Sequence, residues 1–83
     1  MYCWILDYNK YERKGITGPK TQDPNLQSAL AKGEGEKFEM LDADGELYCR
    51  GRIIGNYDGF EPLDDYGKPA LGCTDIYYNG KRL

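Results

Sequence analysis

The sequence predicts an α+β fold, a small antiparallel β-sheet of three to five strands with one short α-helix packed on it. Three observations carry this prediction. Residues 2 to 8 alternate large side chains with period two, residues 24 to 32 show helical spacing behind a capping pair, and Asp44-Gly45 separates two strand-like runs. All of it belongs to a single domain over residues 1–83, because a chain this short buries only roughly 60 to 65% of the surface its unfolded form exposes.

In the first strand, residues 2 to 8, Tyr2, Trp4, Leu6 and Tyr8 fall on one face and Cys3, Ile5 and Asp7 on the other. Two largely apolar faces predict a central strand. Residues 9 to 23 lose this periodicity, carry Lys10, Arg13, Lys14 and Lys20, and contain Gly15, Gly18 and Pro19, which marks a basic loop. The helix, near residues 24 to 32, follows from Asp23 as N-cap, Pro24 at the first helical position and Gly33 as terminator. Leu26, Ala29 and Leu30 then share one face, and two to three turns need a sheet to rest on.

The next two strands, 37 to 42 and 46 to 54, form a hairpin. Asp44-Gly45 suits a two-residue type I′ turn, in which both central positions have positive φ. That turn sets Ala43 opposite Glu46, Met40 opposite Cys49 and Phe38 opposite Gly51. Phe38, Met40, Leu47, Cys49 and Ile53 then share an apolar face, while Glu39 meets Arg50 and Leu41 meets Tyr48 on the other. A three-residue loop would mix Phe38 and Met40 with Arg50, which favours the two-residue form. Residues 55 to 72 hold four glycines and two prolines, yet keep Tyr57, Phe60, Leu63, Tyr66 and Leu71, a composition that predicts a packed loop. Residues 73 to 78 form the last strand, ended by Asn79-Gly80, with Lys81 to Leu83 too short for much of a returning arm. A small β-barrel is the alternative architecture, since bent glycine-containing strands can close on themselves.

Composition narrows the chemistry. The 14 acidic and 11 basic residues leave a net charge of −3, which argues against a dedicated nucleic-acid binder. There is no histidine, the residue that most often moves protons near neutral pH and the commonest metal ligand. Cys3, Cys49 and Cys73 make an odd set without a CxxC pair, so buried reduced thiols are expected, with a Cys3–Cys49 disulfide as the alternative. No metal site or cofactor is expected. Counted from Asp42, a calcium loop would need glycine sixth and glutamate twelfth, where Leu47 and Ile53 stand. Gly33-Glu34-Gly35 and Gly15 to Gly18 lack the lysine and the strand-to-helix setting of a phosphate loop. No nucleophile has a histidine to activate it, so an enzyme is not expected. The longest apolar run, Cys3 to Leu6, is too short for a membrane span, and no signal peptide is evident. The protein is therefore expected to be cytoplasmic, with no membrane partner.

Binding is what remains. Tyr57, Asp58, Phe60, Glu61, Asp64, Asp65 and Tyr66 mix aromatic and acidic side chains in the manner of an interface anchor inside a charged rim, suited to a protein with a basic surface. Their carboxylates are expected to be solvated, so charge reversal at Asp64 and Asp65 should spare the fold. The alternative is a nucleic-acid interface of Tyr8, Lys10, Arg13, Lys14, Tyr48, Arg50 and Arg52, rings stacking on bases and cations meeting phosphates. Acids interleaved with these cations weigh against it. In size, acidity and want of catalytic equipment, the chain resembles the general type of small phage or mobile-element proteins that inhibit host complexes, anti-CRISPR proteins included. That resemblance covers no motif and implies only a protein-binding, regulatory function.

Overall fold

The structure is a computed structural model that describes residues 1–11, 15–19 and 23–83. The chain forms β1 (Tyr2–Asn9), β2 (Thr17–Gly18), α1 (Pro24–Ala31), β3 (Glu36–Leu41), β4 (Leu47–Gly55), a second helix α2 (Leu63–Leu71), β5 (Asp75–Tyr78) and β6 (Lys81–Arg82). All pairings are antiparallel, in the order β2-β1-β4-β3-β5-β6. This is the expected α+β architecture, with the four predicted strands and the predicted helix in place. The sheet stays open at β2 and β6, so the barrel is not formed. Arg13, Lys14 and Lys20 of the predicted basic loop lie outside the described residues.

Two of the strands go beyond the prediction. Thr17 pairs with Ile5 to make β2, and Lys81 pairs with Tyr78 to make β6. The return at β6 works because Asn79 and Gly80 both take positive φ, at 52° and 76°, and twist the two-residue connection to match the strands. Asp44-Gly45 does not make such a turn. Only Gly45 is left-handed there, Gly45 N–H donates to the Asp42 carbonyl, and the Asp42 side chain accepts from the N–H groups of Asp44 and Glu46. The loop thus holds three residues, Ala43 to Gly45, because the Asp42 carboxylate organises it from outside. Leu41 faces Leu47, and a bulge at Tyr48 then restores the expected register, with Met40 on Cys49, Glu39 on Arg50 and Phe38 on Gly51. Leu47 leaves the core face as a result, and Tyr48 packs against the core.

A second bulge, at Asp7, lies between Leu6 opposite Gly51 and Tyr8 opposite Arg50. One extra residue inverts the alternation, so Tyr8 leaves the face it was expected to share with Trp4 and Leu6. Asn9 takes the inward place instead, 3% exposed, with its Oδ1 accepting the Tyr11 N–H at 2.8 Å. Its Nδ2 is buried without an acceptor.

The main core gathers Trp4, Leu6, Phe38, Met40, Cys49, Ile53 and Ile76 from the sheet with Leu63 and Cys73. The cover over this face is α2, which is where residues 55 to 72 depart from a loop. It is a wide, π-type helix, with the Gly72 N–H reaching back five residues to the Gly67 carbonyl, and it contains Pro69. A Cβ at Gly67 would lie 2.7 Å from the Met40 sulfur, so glycine is what lets the helix settle onto the sheet. The shorter α1 covers one end of the opposite face. The Asp23 carboxylate caps it, Leu30 is buried, and Leu26 reaches Gly55. Cys3 pairs with Ile54 and Cys49 with Asn9, which puts the two thiols on opposite faces, and all three cysteines are buried and free rather than bridged. Among the described residues, no helix is long and apolar enough to cross a membrane.

Candidate functional site

The predicted acidic segment begins as β4 ends. Tyr57 leans on the core and donates from its hydroxyl to Glu36 Oε1 at 2.6 Å. Burial, then that carboxylate, pushes the phenol up to about 12. Glu61 turns back and accepts the N–H groups of Asp58 and Gly59, each at 2.8 Å. Burial works against its charge, but the N–H groups of Asp58, Gly59 and Glu61 outweigh it and hold the carboxyl below its usual value. Tyr78 closes the turn by donating to the Gly59 carbonyl at 2.6 Å.

Along α2 the side chains divide. Tyr66 packs against Trp4 at 5.9 Å between ring centroids. Asp65 Oδ2 accepts from Tyr2 Oη at 2.7 Å and from Trp4 Nε1 at 3.0 Å. Burial first, then Asp65, pushes Tyr2 up to about 12. Asp65 stays exposed, as expected of a turn carboxylate, but it ties the helix to β1 and so has a structural role that was not expected, whereas Asp64 pairs with Lys68 at 3.4 Å. Phe60 stands apart from the other large side chains of the segment and stays 44% exposed, with Asp58 and Asp64 exposed in the same stretch.

Asp65→Ala is expected to destabilise the protein by about 1 to 3 kcal/mol, the exposure of the carboxylate discounting what two charge-assisted hydrogen bonds would contribute when buried. Asp64→Ala should stay within about 0.5 kcal/mol. Urea titrations compare the two, and equal midpoints would show that Asp65 has no anchoring role.

The predicted nucleic-acid residues separate into two groups, with Arg13 and Lys14 outside the described residues. Lys10 pairs with Glu46 and lies over the Tyr48 ring at 4.4 Å, beside Tyr11, so Lys10 and Tyr48 belong to the hairpin end next to the core. Tyr8, Arg50 and Arg52 lie on the other face. Arg52 is spent on structure: it grips both Asp7 oxygens at 2.8 Å and donates to the carbonyls of Leu30 and Glu34 where α1 ends. Arg50 holds Glu39 at 2.8 Å and sits 5.7 Å from the Tyr8 ring centroid.

Register then shows what the sequence alone did not. Tyr8 opposes Arg50, Arg50 opposes Glu39, Glu39 opposes Tyr77 and Tyr77 opposes Arg82, a single row crossing five strands on the face away from the core. Lys37 lies one row nearer α1, opposite Arg52. A shallow depression of about 720 Å³ runs along these rows, with Tyr8, Lys37, Tyr77 and Asn79 in its walls. Tyr77 and Arg82 were missed because nothing local in the sequence says that β5 pairs with β3, whereas the hairpin register already set Lys37 opposite Arg52. Among the described residues, no three ligand-type side chains converge as a metal site would require.

No family model, curated protein or solved structure matches this chain.

Proposed function

We propose that the protein is a non-enzymatic, cytoplasmic binding module that docks onto a protein with a basic surface through Phe60, Asp58 and Asp64. Phe60 carries this proposal. In a segment that turns Tyr57, Leu63, Tyr66 and Leu71 toward the core, it alone among the large side chains stays 44% exposed, with carboxylates around it. An exposed aromatic inside a charged rim is the usual form of an interface anchor. Tyr57, Glu61, Asp65 and Tyr66 act as the support that holds this corner in shape. The non-enzymatic part draws on the lack of histidine and on the thiols of Cys49 and Cys73, which burial pushes up to about 12 and about 11 and so keeps from acting as nucleophiles. A basic partner surface is typical of machinery that holds nucleic acid, which fits a phage or mobile-element inhibitor of a host complex.

Affinity capture from host extract, followed by titration of the retained protein, tests this. Phe60→Ala should weaken binding by roughly 30-fold, as a buried aromatic anchor does. Asp58→Lys with Asp64→Lys should slow association and remove the salt dependence. Undiminished affinity in both folded variants would exclude this corner as the docking site.

A further inference from the structure

We propose that the half of the sheet left uncovered by α1, on the face away from α2, is a platform for single-stranded nucleic acid. This surface is separate from the Phe60 corner, and neither depends on the other. Its row of Tyr8, Arg50, Glu39, Tyr77 and Arg82 puts two rings and two arginines on one face. Tyr8 is 43% exposed, with the Arg50 guanidinium over its ring at 5.7 Å from the centroid. Tyr8 and Tyr77 stand three strand spacings apart, roughly 14 Å, so each ring would take a different base. The depression between them has the volume of a site for a nucleoside-sized group.

Charge identifies the occupant. The whole chain carries −3, yet in these two rows Lys37, Arg50, Arg52 and Arg82 face only Asp7 and Glu39. The two carboxylates are taken by Arg52 and Arg50. Among the described residues, Lys37 and Arg82 have no carboxylate partner, so these two rows keep two cations for phosphates, with Asp75 one row beyond Tyr77. An acidic protein segment would find the same cations. It would not find a dry centre, because the side chains between the tyrosines are Arg50 and Glu39 rather than aliphatic groups, and protein interfaces are depleted of charge at their cores. Stacking on rings between cations is instead what non-specific single-strand binding uses.

Fluorescence anisotropy with a labelled oligothymidylate of about ten nucleotides, at about 50 mM salt, tests the proposal. Saturable binding is expected, with log affinity falling against log salt by about 0.7 for each cation engaged. Tyr8→Leu and Tyr77→Leu should each weaken it roughly five- to a hundredfold, while Tyr8→Phe and Tyr77→Phe, which keep the ring, should retain it. Lys37→Glu with Arg82→Glu should reduce both affinity and salt slope, and Phe60→Ala should change neither. Absence of saturable binding, or binding that survives in the folded Tyr8→Leu, Tyr77→Leu double variant, would overturn the proposal. So would tighter binding of an oligoglutamate peptide through the same residues, which would assign the face to an acidic protein.

Discussion

Phe38→Ala is expected to cost about 3 to 5 kcal/mol, because the ring is 1% exposed at the centre of the core and its removal leaves a cavity the sheet cannot close. A domain of this length has about 4 to 12 kcal/mol in total, so the variant should be close to unfolding at room temperature. The ring lies against Gly51 on the neighbouring strand, where a Cβ would come within 2.6 Å of Phe38 Cζ and 2.2 Å of the Ile5 carbonyl oxygen. Gly51→Ala should therefore also destabilise, by about 1 to 3 kcal/mol or more. The Phe38→Ala background should not rescue it, since the contact with the β1 backbone remains. Urea titrations of the three variants measure this, and a double variant as stable as Phe38→Ala alone would show that the strands can part to admit the methyl group.

That register was legible in the sequence for a reason that its own turn did not share. Placing Phe38, Met40, Cys49 and Ile53 on one face leaves only one parity for the two strands, and burial enforces it. The turn chemistry was free to differ, and Asp42 made a three-residue loop whose extra residue the bulge at Tyr48 cancels. The type I′ turn formed instead at Asn79-Gly80, where two further residues proved enough to pair. Bulges were the general blind spot. Asp7 is not marked as an insertion by anything beside it, since its partner Arg52 lies 45 residues away. Yet it decides that Tyr8 faces Arg50 rather than the core.

Residues 55 to 72 were opaque for a different reason. Glycine and proline density predicts a loop under local propensity, and α2 exists because tertiary packing overrides that propensity. Gly67 is there for close approach to Met40, not for flexibility. The candidate site inherits both effects. The mixture of rings and acids at 57 to 66 was visible, but which of them point outward was not, since Asp65 finds its donors on Tyr2 and Trp4, more than 60 residues back in the chain. Phe60, Asp58, Asp64 and Asp65 keep the exposure expected of the whole group, and of these Asp65 is engaged by the Tyr2 and Trp4 side chains.

Alkaline pH should unfold this protein well before its arginines lose their charge. Burial pushes Cys49 up to about 12 and Cys73 up to about 11, from an ordinary thiol near ~8.5. Tyr2 and Tyr57 reach about 12 from ~10, through burial and then their carboxylate partners, and burial raises Tyr78 as well. A group whose folded pKa is raised contributes its full stability below the unfolded value and loses it as pH climbs toward the folded value, because the unfolded chain releases its proton first. The loss therefore starts near pH ~8.5 with the two thiols and deepens above ~10 with the phenols. Cys49, 0% exposed, is the largest single contributor, on the order of 3 kcal/mol by pH ~11, and Cys73 and the phenols add to it. This is comparable to the stability of the whole domain, so the urea midpoint should be flat to about pH 8 and collapse by about pH 11. Cys49→Ala should start lower, for the lost packing, but fall less steeply between those limits. A midpoint that holds steady to about pH 11, or equal slopes with and without the Cys49 thiol, would mean that water reaches these groups in the folded protein.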